Sequence, residues 1–166
     1  MRRRLLFGLG LMTILPPDAA AAPLDLAFRI LREGSPVGTH IVRFRDAEGL
    51  LEARSEVRVT VRLMGITVYR YMHDTTEQWR GARLVALSSR LDRNGTRAQC
   101  EARAESGGLR LRGAAGEVLL PPLSAPLTWW RAASLISDVP LFDPRDRRAD
   151  RTSHGIRQAA RAGDRR

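Results

Sequence analysis

The densest concentration of chemically capable side chains lies in one run, from Ile66 to Trp79. Odd positions carry Tyr69, Tyr71, His73, Thr75, Glu77 and Trp79, and even positions carry Ile66, Val68, Arg70, Met72 and Asp74. On a β-strand, alternate residues face opposite sides. Two phenols, an imidazole, a carboxylate and an indole would then share one face. That is more polar than a dry core tolerates without hydrogen-bond partners. Three uses are open to the row. It can line a cavity for an apolar or amphipathic ligand, its polar tips fixing the ligand's orientation. It can serve a hydrolase-like enzyme, with His73 and Glu77 as acid–base groups. It can also fill the concave side of a curved sheet, with the tips hydrogen-bonded to neighbouring strands.

A metal site is disfavoured by spacing. Four residues of strand separate His73 and Glu77 by roughly 13 Å, whereas direct ligand bonds are about 2 Å long. His40 is an isolated strand residue and His154 lies in the tail, so no further ligand set forms and no metal or cofactor is expected. His73 with Ser88 or Ser89 can be drawn as a base and a nucleophile, a pairing common by chance. The pair Trp129 and Trp130 can stack on a ligand, or anchor a short helix on a sheet.

The elements that would position these groups read as antiparallel strands. Leu51, Ala53, Ser55, Val57, Val59, Val61 and Leu63 alternate with Glu52, Arg54, Glu56, Arg58, Thr60 and Arg62. Strict period-two alternation with central valines predicts a strand with one buried and one wet face. Leu24 to Ile30 and Val37 to Arg45 precede it, divided by the turn Glu33-Gly34-Ser35-Pro36. Met64-Gly65 breaks the chain before Ile66. Leu84 to Leu91 and Arg97 to Glu105 flank Asn94-Gly95, a hairpin dipeptide that accepts positive φ. Short strands follow at 109–112 and 116–120. Thr128 to Ile136 predicts one short helix that covers an open end of the sheet. The expectation is an all-β fold: an antiparallel meander forming a curved sheet or partial barrel, with one short helix and a disordered tail.

The ends of the chain carry a different signal. Arg2-Arg3-Arg4, an apolar stretch from Leu5 to Leu15, and Ala19 to Ala22 have the order of a secretory signal peptide. Ala19 and Ala21 occupy the −3 and −1 positions, since cleavage after Ala22 would leave Pro23 first. The predicted division is a signal peptide at 1–21, a β-rich domain at 22–142 and an Arg-rich tail at 143–166. A periplasmic location follows for a bacterium with two membranes. The apolar stretch is too short for a stable span, and no other approaches that length, so a soluble mature protein is expected.

The net charge of +10 invites a nucleic-acid partner. Its distribution argues against one. More than half of the excess sits in the two ends, and the body alternates Arg with Glu along its strands. All basic residues are Arg, with no Lys, a bias that a GC-rich genome produces without selection for phosphate. The single cysteine, Cys100, makes no internal disulfide and reads as a small buried strand residue.

Several of these segments together resemble an exported bacterial family known as domain of unknown function 6134. Gly34-Ser35-Pro36-Val37-Gly38-Thr39-His40 resembles its opening hairpin. Met64 to His73, with Glu77-Gln78-Trp79 and Gly81-Ala82-Arg83-Leu84, resembles its central signature. Thr128-Trp129-Trp130 resembles its later tryptophan motif. The resemblance spans about Leu24 to Phe142. It implies an exported, predominantly β protein and no particular activity. After Pro140-Leu141-Phe142-Asp143 the family pattern continues with a glycine and further strands, whereas Arg145 to Arg166 is Arg-rich, which implies a reading-frame shift near Pro144. The leading expectation is a non-enzymatic periplasmic binding or envelope-associated module for a lipid or other small apolar or amphipathic ligand. Its binding residues would be Tyr69, Tyr71, His73, Glu77, Trp79, Trp129 and Trp130. The alternatives are the hydrolase-like enzyme and a structural β protein that binds a partner through a sheet edge.

Overall fold

The computed structural model describes residues 23–132 and 139–145. Ten strands run through them: β1 (Leu26–Arg32), β2 (Ser35–Ala47), β3 (Leu50–Leu63), β4 (Ile66–Arg80), β5 (Arg83–Arg93), β6 (Thr96–Glu105), β7 (Gly108–Gly113), β8 (Gly116–Leu120), β9 (Ala125–Pro126) and β10 (Leu141–Phe142). The first eight form one sheet in sequence order, each antiparallel to the next, and β1 and β8 do not meet. The meander is therefore open. Its hairpins are local in sequence because tight turns join them. Four of these turns place a non-glycine residue and then a glycine in the left-handed region: Glu33-Gly34, Glu48-Gly49, Met64-Gly65 and Asn94-Gly95. Such turns twist in the sense of the strands they connect.

One face of the sheet is packed over only half its width. Trp79, Leu84, Leu87, Ala102, Leu109 and Leu111 form the core beneath β4 to β7. Cys100 joins them, buried and free, and burial pushes its thiol up to about 11. The core is closed by a second, two-stranded sheet in which β10 runs parallel to β9. Ala125 donates to the Pro140 carbonyl and Leu127 to the Phe142 carbonyl, and Phe142 is buried against the core. The opposite face is wet. Arg43–Glu56 at 2.9 Å, Arg54–Glu52 at 2.7 Å and Arg58–Asp74 at 2.5 Å tie neighbouring strand residues there. Exposed pairs of this kind contribute at most about 1 kcal/mol each.

The helix expected from Thr128 does not begin there. Leu127 is still hydrogen-bonded to β10, Trp129 and Trp130 form a bend, and among the described residues of the segment only Ala132 has helical geometry. The β9–β10 pairing and the docking of Trp130 hold the segment extended where the sequence pattern favours a first helical turn. Residues 133–136 of that expected helix, the expected signal peptide at 1–21 with Ala19 and Ala21, and 146–166 of the expected tail lie outside the described residues. Among the described residues no helix is long and apolar enough to cross a membrane.

Candidate binding cavity

Register brings the polar row of β4 to the centre of the packed face. Directly opposed residues share a face of a sheet. Tyr71, His73, Thr75 and Glu77 of β4 stand opposite Val59, Val57, Ser55 and Ala53 of β3. On the other side, His73, Thr75 and Glu77 stand opposite Leu91, Ser89 and Leu87 of β5. Val57 in turn faces His40 of β2, which faces Phe28 of β1. The face they share is hollow on the β1–β4 side, where a cavity of about 560 Å³ opens. Its walls are Phe28, Ile30, Val57 and Val59 on the sheet, with Leu127 and Trp129 from the covering segment.

The row is graded in depth. Tyr69 and Tyr71 are half-buried, while His73, Thr75 and Glu77 are buried. The mouth therefore lies toward the β3–β4 turn and the floor toward the core. At mid-depth a chain of hydrogen bonds holds the imidazole. His73 Nε2 lies 2.8 Å from Ser89 Oγ and 3.1 Å from Thr75 Oγ1. Ser89 Oγ also donates to the carbonyl of Pro144 at 3.0 Å. A hydroxyl has one proton to give. With that proton on Pro144, His73 Nε2 carries hydrogen and donates to Ser89. Burial, with the positive charge of Arg145 adding to it, pushes the His73 imidazole down to about 4, so the ring is neutral. Ser89 is 2% exposed.

Residues 143–145 form part of the wall. The sequence reading places them in the tail. Arg145 forks onto Asp143, at 2.8 and 2.9 Å, and its charge acts on the Tyr71 phenol, which lines the same cavity. Burial works to raise the Asp143 carboxyl, but the hydrogen bonds and charge of Arg145 outweigh it and hold the group below its ordinary range. Arg93 lies over the Tyr71 ring, 5.8 Å from its centroid. Two guanidinium groups thus flank the phenol near the mouth.

Glu77 is the floor. It is 3% exposed, and its Oε2 accepts from Trp79 Nε1 at 2.9 Å. Burial pushes its carboxyl up to about 7; the Trp79, Trp130 and Thr128 donors and the Arg131 charge oppose the rise without cancelling it. Trp130 Nε1 is buried and makes no hydrogen bond of ordinary geometry. The carboxylate is directed to indoles, and His73 is directed to Ser89. The two groups do not meet.

The structure separates the candidates that the sequence groups together. Tyr69, Tyr71, His73, Glu77 and Trp129 line the cavity. Trp79 does not; it is 1% exposed within the core. Trp130 packs edge-on against Phe44 and Trp79, at 5.1 and 6.2 Å between ring centroids, and so anchors the covering segment. Sequence reasoning misses Phe28, Arg93, Asp143, Pro144 and Arg145, and leaves Ser88 and Ser89 unresolved. The period-two rule carries Ser89 and Phe28 once pairing is known. Nothing in the composition marks 143–145.

Residues 28–160 match the family described as Domain of unknown function (DUF6134). The chain belongs to that family. None of the curated proteins and none of the solved structures is significantly similar to it. The DUF6134 match takes in every residue that lines the cavity, from Phe28 to Arg145. It also continues past Pro144 to residue 160, so the likeness to the DUF6134 family does not end where the sequence reading places a departure.

Proposed function

We propose that this chain is an exported, non-enzymatic binding module that takes an apolar or amphipathic ligand, such as a lipid, into the cavity above β1 to β4. The observation that carries the reading is the cavity itself. It is about 560 Å³ in volume, walled by aliphatic and aromatic side chains and provided with a few fixed polar groups. That is the size and chemistry of a small-molecule site. The neutral His73 at mid-depth and the hydroxyls of Tyr69 and Tyr71 nearer the mouth supply hydrogen bonds that would orient a ligand. Export rests on the order of basic, apolar and small residues from Arg2 to Ala22. The hydrolase alternative gains little support. A Ser–His pair needs the imidazole to accept the serine proton, and here that proton is given to Pro144.

Native mass spectrometry of the protein recovered from a bacterial periplasm tests the reading. The expected spectrum shows a chain beginning at Ala22 with a reproducible extra mass that denaturation removes. Val59→Trp, which fills the hollow, abolishes the extra mass while the fold persists. A bare polypeptide that retains nothing after incubation with mixed lipids overturns the binding role, and an uncleaved mass overturns the export assignment.

A further inference from the structure

β3 and β4 are the longest strands, 14 and 15 residues, and their neighbours stop short of their shared turn. β2 pairs with β3 only as far as Val59. β5 pairs with β4 only from Tyr71 onward, and Asn94 adds hydrogen bonds to the Arg70 backbone. Beyond those points the hairpin projects alone. Its tip is apolar and open to solvent: Leu63 is 63% exposed, Met64 95%, Ile66 69% and Val68 51%. Val68 is the extra residue of a bulge, since Val61 pairs with Tyr69 and Arg62 with Thr67.

Comparison within the molecule marks this tip as unusual. Four turns place a non-glycine residue at φ near +50°, and three of those residues are Glu33, Glu48 and Asn94. The fourth is Met64. A left-handed methionine has no short polar side chain to hydrogen-bond locally, and at this exposure it gains no burial within the chain. The charge around it is equally one-sided. Between Glu56 and Asp74 the sequence contains Arg58, Arg62 and Arg70 and no carboxylate. Arg58 is paired with Asp74; Arg62 and Arg70, both exposed, have no ion-pair partner among the described residues. Other strand arginines, such as Arg29, Arg80 and Arg90, also lack an ion-pair partner among the described residues; what sets the tip apart is that its two lie beside exposed apolar side chains in a stretch without a carboxylate. Exposed apolar side chains flanked by unopposed arginines match an anionic lipid interface, which offers an apolar interior beneath a layer of phosphate.

We propose that the β3–β4 hairpin tip docks on an anionic phospholipid surface. Leu63, Met64 and Ile66 enter the headgroup boundary, and Arg62 and Arg70 meet the phosphates. The cavity mouth, marked by Tyr69, lies just behind this tip, so docking presents it to the bilayer. The docking residues are distinct from the cavity walls, and docking stands or falls separately from ligand uptake.

The test is cosedimentation of the mature full chain with vesicles of phosphatidylcholine containing a minority of phosphatidylglycerol, beside vesicles of phosphatidylcholine alone. Binding is expected to the anionic vesicles, weakening with added salt. The double substitution Arg62→Gln with Arg70→Gln should weaken it roughly thirtyfold. Met64→Glu with Ile66→Glu should abolish it with the melting temperature unchanged, since both side chains are exposed. Absence of binding to anionic vesicles, or full binding by the Met64→Glu, Ile66→Glu variant, overturns the proposal. So does self-association without lipid that the same variant removes, because the tip is then a contact between copies.

Discussion

Glu77 and His73 sit on one strand and have opposite protonation preferences. In the folded chain Glu77 holds its proton up to about pH 7, against 4.5 for an ordinary glutamate. The folded state therefore binds more protons than the unfolded state between those values, and stability falls as pH rises through that window. The difference is on the order of 3 kcal/mol. His73 runs the other way. Its folded value of about 4 lies below the ordinary 6.5, so its contribution is present above 6.5 and is lost as pH falls toward 4. Between 4.5 and 6.5 the two slopes oppose each other. Glu77→Gln keeps an acceptor for Trp79 Nε1 and removes one slope. Denaturant unfolding of the variant at a series of pH values should show it gaining on the wild type from pH 4.5 to above 7. A constant difference between the two proteins would mean that Glu77 is ordinarily ionised.

At the scale of elements, the opening hairpin depends on a close approach. A Cβ added at Gly38 would collide with the Arg58 carbonyl and the Val59 backbone of β3. Neither atom is the movable end of a side chain, so the strands must separate. Gly38→Ala should cost about 1–3 kcal/mol, read as a lower denaturation midpoint with an unchanged slope; a neutral result would mean that β2 slides freely on β3.

The strands themselves were legible because β3 and β4 are long and their residues alternate. Strict period two in Leu51 to Leu63 assigns a face to each residue, and the row from Tyr69 to Glu77 follows once β4 pairs with it. The cover was not legible. β9 and β10 have two residues each, too few to show a period. Trp129 and Trp130 are neighbours with opposite duties, which no spacing rule distinguishes. Asp143-Pro144-Arg145 blends into an Arg- and Asp-rich run, although Pro144 engages Ser89 and all three pack at the cavity wall or its ion pair.

Across the whole molecule, stability should be uneven. The core lies beneath β4 to β7, and the β1–β3 side encloses a hollow. Local opening is easiest where few apolar contacts must break. Hydrogen exchange should find the slowest amides in β5, β6 and β7, with faster exchange in β1 and fastest in the projecting residues 60–69. Uniform protection from β1 to β8 would show that the hollow side unfolds only with the rest. A bound ligand should slow exchange in β1 to β4 and leave β7 and β8 unchanged.

The alternation of β4 also limits how insertions and deletions can alter the site. One residue gained or lost between Tyr69 and Glu77 turns part of the row to the wet side and brings Arg70, Met72 or Asp74 inward. Two residues restore the facing and displace the row by roughly 6.6 Å along the strand. Viable length variants of this strand should therefore differ by even numbers, and each step should lengthen or shorten the accepted ligand by a fixed increment.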